Sequence, residues 1–126
     1  MTRINCIPPA DLVNKHLLAE YRELPRVFKL ARENANIPSK YTMGPGHVTF
    51  FYDKLGYLYS RQKQIVQELT KRGFSLSFDP ESLKDTWFNQ KSVLWGQWSP
   101  SKQDQQTNIQ RINERLADMQ RKTINV

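Results

Sequence analysis

The chain carries a single cysteine, Cys6, among 126 residues. That excludes an intramolecular disulfide framework and leaves no cysteine cluster for a structural zinc, which points to a reducing, intracellular setting. No apolar run approaches the ~20 residues of a membrane span. The start, MTRINCIPPADLV, sets a proline pair where a signal peptide would carry its apolar stretch. The expectation is a cytoplasmic protein, unprocessed apart from Met1, whose removal the sequence leaves open, and without a membrane partner. Strand-period alternation, internal repeats, a domain-separating linker, a nucleophile elbow and a metal-ligand motif are missing as well. The run GPGHVTFF has glycines but not the lysine that a phosphate-cradling loop needs. Any chemistry is therefore expected to proceed without metal or organic cofactor.

Acid is scarce relative to base. The 12 Asp and Glu face 19 Lys and Arg, a net charge of +7 that is spread along the chain and not gathered in one tail. Such a balance favours a polyanionic partner, nucleic acid before an anionic membrane surface, although a merely basic surface has the same composition. The length suits one domain, residues 1–126, able to bury about two-thirds of the surface exposed by the unfolded chain.

What the chain does have is helical periodicity. From Ala10 to Ala31, Ala10, Val13, Leu17, Tyr21, Leu24, Phe28 and Ala31 fall on one stripe, predicting a long first helix that Pro25 should loosen or kink. A loop from Glu33 to His47 follows. From His47 to Lys71 the set Val48, Phe51, Tyr52, Leu55, Leu58, Tyr59, Ile65, Val66 and Leu69 predicts one second helix, closed by Gly73. Phe74 to Trp98 reads as an irregular segment laid over the helices, with Trp87, Trp95 and Trp98 as core plugs or as stacking surfaces. Ser99 and Pro100 suit the start of a third helix with a thin stripe of Ile109, Ile112, Leu116 and Met119. The fold class is compact all-α, with three main helices.

Placed around the first helix, Lys15, Arg22, Arg26 and Lys29 lie opposite the Leu17 and Leu24 stripe, a single-sign arrangement without the acidic partners of a salt-bridged surface. Such a stripe fits a phosphate backbone, and a solvated face is the plain alternative. His16, Glu20 and Glu23 run along one flank, between the basic side and the apolar stripe. His16 there is either a hydrogen-bonded structural residue or part of a site, and Glu20 pairs either with His16 or with a cation elsewhere. Arg111 and Arg115 of the third helix, with Arg121 and Lys122, are phosphate contacts or a solvated face. A further nucleophile is the terminus itself. Thr2 is small enough to permit removal of Met1, and an α-amine with an ordinary pKa of about 7.7 to 8.0 is partly neutral near pH 7.

Four blocks, MTRIN, HLLAEYRELPRVF, GPGHVTFFYDKL and KRGF, in this order and at comparable spacing, closely resemble the pyrimidine-dimer DNA glycosylases with abasic-site lyase activity, of the bacteriophage endonuclease V type. The blocks cover the N-terminal segment and the first two helices. The resemblance implies an all-α enzyme in which the amine of Thr2 attacks the deoxyribose C1′ and releases the damaged base. The resulting Schiff base then permits β-elimination of the strand. It implies Glu23 as the carboxylate that stabilises the developing charge and moves protons, and Arg22 and Arg26 on the phosphates flanking the lesion, with Arg3 and His16 lining the same cleft. The implied substrate is double-stranded DNA with UV lesions or abasic sites, kinked on binding and handled by a monomer with no protein partner. The chain departs from the best-known phage member in ending MQRKTINV, with no aromatic residue after Trp98, and in carrying Lys15 beside His16. These departures bear on the preferred lesion. A lyase with another lesion preference and a damaged-DNA-binding module without turnover are the alternatives.

Overall fold

The computed structural model describes residues 4–31, 37–42, 46–85 and 94–124, except for the side chains of residues 84, 85 and 121–124. Three α-helices carry the architecture: α1 (Asn14–Ala31), α2 (Leu55–Lys71) and α3 (Lys102–Ile124). Short 3-10 turns at Pro9–Asp11, Thr49–Asp53 and Pro80–Asp85 join them. Among the described residues there is no named strand, only an isolated bridge between Lys54 and Trp95. The all-α class expected from the periodicity is the observed one. No helix among these residues is long and apolar enough to cross a membrane.

Helix α1 begins four residues later than the periodicity predicts. Pro8 and Pro9 bring no amide donors, the chain makes a 3-10 turn, and Leu12 (φ −98°, ψ 141°) is extended, so Val13 stays 41 % exposed instead of joining the stripe. From Leu17 onward the stripe holds: Leu17, Leu24, Val27, Phe28 and Ala31 are buried, packed mainly against α2. Pro25 does not break the helix. It cannot donate to the Tyr21 carbonyl one turn back, and Gln62 of α2 fills that gap, its Nε2 donating to Tyr21 O at 3.1 Å.

The second helix is likewise interrupted where the sequence reads as continuous. Lys54 (φ −125°, ψ 37°) separates the 3-10 turn from α2, because the tryptophan-bearing segment takes over the hydrogen bonds at that point. Gly96 N–H donates to Asp53 O, while Leu55 and Tyr57, whose N–H groups belong to the first turn of α2, donate to the carbonyls of Leu94 and Gly96. A side chain at Gly96 would put its Cβ 2.3 Å from Asp53 O, which requires glycine there. At the other end Gly73 (φ 97°) closes α2, with Phe74 N–H on Leu69 O and Gly73 N–H on Thr70 O.

Trp95 lies against Phe28 and Tyr59, and Trp98 sits in a cluster with Tyr41, Phe50, Phe51 and Tyr57. Both are partly buried and packed against the core, the first of the two roles open to the tryptophans. Trp87 lies outside the described residues. Helix α3 starts at Lys102, two residues past the expected Pro100 start. Ser101 is its cap: Asp104 N–H donates to Ser101 Oγ and Ser101 N–H to Asp104 Oδ2, each at 3.0 Å.

Candidate active site

Residues 4–7 form a buried strap outside any helix, bending at Ile7, and side chains from elsewhere hold it. Ile4 N–H donates to His47 Nε2 at 2.8 Å, so the His47 proton sits on Nδ1 and is donated to the Thr42 carbonyl at 2.7 Å. Cys6 N–H donates to Asn108 Oδ1 at 2.7 Å, Asn108 Nδ2 donates to Asn5 Oδ1 at 2.9 Å, and Asn5 Nδ2 donates to Glu20 Oε1 at 2.8 Å. Arg61 Nη1 donates to the Ile7 carbonyl. The strap is antiparallel to α1. Arg72 joins Asn14, at the start of α1, to the carbonyls of Pro9 and Ala10, whereas Asn5 reaches Glu20 nearly two turns further along.

Glu20 is fully engaged. Arg61 grips it with Nε at 2.8 Å and Nη2 at 3.1 Å, and both side chains are buried. Burial alone would lower the pKa of the guanidinium, but the Glu20 carboxylate outweighs it and raises that pKa, so Arg61 stays charged. Of the two partners open to Glu20, it takes the distant cation and not His16. Burial, the leading cause, pushes the Cys6 thiol up to about 11, against smaller lowering effects from Tyr41 and Arg61, and so removes it as a competing nucleophile.

One turn beyond Glu20, Glu23 is half-exposed and meets Arg26, whose Nη1 donates to its Oε2 at 3.1 Å. The basic face is thus not single-signed as expected: Arg26 has an acidic partner on its own helix, because residues three apart are neighbours there. Lys15, Arg22 and Lys29 are exposed and in no ion pair among the described residues.

Burial first, then the charges of Lys15 and Arg115, lower the pKa of His16, so Arg115 and His16 are close although 99 residues apart in sequence. Arg111 is half-buried, donates from Nη1 to Glu114 at 3.3 Å and keeps its buried Nε without a hydrogen-bond partner among the described residues. Lys15, His16, Arg22, Glu23, Arg26, Arg111 and Arg115 therefore lie on α1 and α3 as described, while Thr2 and Arg3 fall outside the described residues. Among those described, no group of three or more His, Cys, Asp or Glu is placed to hold a metal ion.

Sequence reasoning missed the residues that hold the strap: Asn5, His47, Arg61 and Asn108. Arg61 and Gln62 fall between the apolar positions of the α2 stripe, and Asn108 stands beside Ile109, which the stripe favours for burial. The only signal was indirect, a basic helix with too few apolar positions to be held by packing alone. With this geometry in view, residues 1–81, which span the strap, α1 and α2 but not α3, match the family model described as pyrimidine dimer DNA glycosylase.

Proposed function

The chain belongs to the pyrimidine dimer DNA glycosylase family, which implies DNA glycosylase activity and DNA as its substrate, and from that premise we propose a bifunctional enzyme that cleaves both the glycosidic bond at UV-induced cyclobutane dimers and the strand at the resulting abasic site. Residues 1–126 act as one domain and as a monomer. The observation that carries this reading is the strap. Asn5 is bonded to Glu20, one turn before Glu23 on α1, and the two residues between Ile4 and the Thr2 amine span no more than about 7 Å.

The chemistry follows from that neighbourhood. The amine of Thr2, free once Met1 is gone, attacks C1′ with its lone pair, and the base departs with the electrons of the glycosidic bond. Positive charge develops on the sugar, and the Glu23 carboxylate stabilises it and relays protons as the ring opens to the Schiff base. Loss of a C2′ proton then expels the 3′ phosphate. Arg3, Lys15, Arg22, Arg26, Arg111 and Arg115 hold backbone phosphates, and neutral His16 lines the same binding face. Kinking the duplex has a cost of a few kcal/mol, offset by those phosphate contacts.

Borohydride trapping of the Met1-free protein on two duplexes, one with a cyclobutane thymine dimer and one with an abasic site, tests the reading. A covalent adduct on both, lost when Met1 is retained, is expected. An adduct on the abasic duplex alone reduces the activity to a lyase of another lesion preference. None on either leaves a DNA-binding module without turnover.

A further inference from the structure

Helix α3 buries an asparagine where its sequence offers isoleucine. Asn108 is 0 % exposed and the only fully buried position of α3 among the described residues, whereas Ile109 is 43 % exposed. A buried amide costs stability unless its groups are bonded, and both of these are, to the strap: Oδ1 to Cys6 N–H and Nδ2 to Asn5 Oδ1. One turn earlier, Gln105 Nε2 reaches the Cys6 carbonyl at 3.4 Å. On the other side of the strap His47 takes Ile4 N–H, and Asn5 reaches Glu20. Ile4, Asn5 and Cys6 are thus each held by a side chain from a distant part of the chain, and a one-residue slip would break every one of these bonds.

The spacing on α3 adds a second consequence. Asn108, Arg111 and Arg115 stand three and four residues apart, on one helix face. The face that holds the strap is continuous with the face that carries Arg111 and Arg115, of which Arg115 acts electrostatically on His16. Residues 82–126, outside the family match, supply all three.

We propose that Asn108 is a positioning residue for the N-terminal amine, fixing residues 4–6 against α3 so that phosphates held by Arg111 and Arg115 arrive at a set offset from the nucleophile. This rests on the proposed function, in which the Thr2 amine reacts. A displacement of the strap by about 1 Å is sufficient to lower the rate of imine formation by about 100-fold.

The test uses Met1-free full-length protein, wild type and Asn108→Ala, in single-turnover borohydride trapping on an abasic duplex. Beside it, Kd is measured for a duplex with a tetrahydrofuran abasic analogue, which cannot form an imine. The expected result is a trapping rate lower by about 10- to 100-fold in folded Asn108→Ala with Kd near wild type, and partial recovery in Asn108→Asp, which keeps an acceptor for Cys6 N–H. Should Asn108→Ala not fold, Gln105→Ala removes the neighbouring bond to the strap and is read the same way. Equal loss of rate and affinity, or a rate that returns to wild type once corrected for the folded fraction, overturns the assignment. A wild type that traps nothing overturns the proposed function, whereas a trapping wild type with unaffected variants overturns only the role of Asn108.

Discussion

Glu20 and Glu23 stand on the same helix, one turn apart, and the protein treats them as opposites. Glu20 and Arg61 have side chains 1 % and 4 % exposed and lie 2.8 Å apart, while Glu23 and Arg26 are 36 % and 71 % exposed at 3.1 Å. In water a pair such as Glu23 with Arg26 contributes between zero and about 1 kcal/mol. In the interior, losing one partner strands a charge. The difference lies in neither the residue nor the helix. It lies in what faces each position: α2 and the strap over Glu20, the edge of the basic face beside Glu23.

The sharpest break in this comparison is Glu23→Gln. It is expected to lower single-turnover cleavage of a dimer-containing duplex by about 100- to 10,000-fold, the range of a general acid–base group, while unfolding in urea stays near wild type. Cleavage near wild type would remove Glu23 from the chemistry. Glu20→Gln should act the other way round, costing about 3–5 kcal/mol of stability because Arg61 stays buried without its counter-charge. A urea-unfolding loss below about 1 kcal/mol would show that the buried pair does not hold the strap.

Arg26→Gln is a smaller change, since its ion pair is exposed. It should weaken duplex binding and flatten the plot of log Kd against log salt by about 0.9, one phosphate's worth; an unchanged slope places Arg26 away from DNA. The smallest effect concerns His16. Its folded pKa lies below the ordinary ~6.5, so as pH falls the unfolded chain takes up the proton first. Its contribution to stability is present above about pH 6.5 and is lost as pH drops through the folded value. Arg115→Gln removes one cause of the lowering and should move the His16 pKa upward in an NMR titration, burial keeping it below the ordinary value. No movement would separate α3 from the α1 flank.

Much of the frame was legible in the residues themselves. The stripe from Leu17 to Ala31 and the apolar set from Leu55 to Leu69 are buried as helical periodicity requires, because the 3.6-residue repeat is a local property of the backbone. Pro25 shows where a local reading stops. Local rules predict a weakened turn, and Gln62, 41 residues from the Tyr21 carbonyl it serves, repairs it. The break at Lys54 has the same origin, since the Gly96 backbone that takes the Asp53 carbonyl comes from a distant segment.

The sequence by itself determined three helices, a cationic face on α1 and blocks that match a family over residues 1–81. All of these depend on spacing within one element or on residue types in order. Only the tertiary structure decided which carboxylate is buried, that α3 brings Arg115 to His16, and that Asn108 holds a strap 102 residues away in sequence. A hydrogen bond between distant segments leaves no periodic trace, because its energy depends on where two backbones meet and not on the pattern along either.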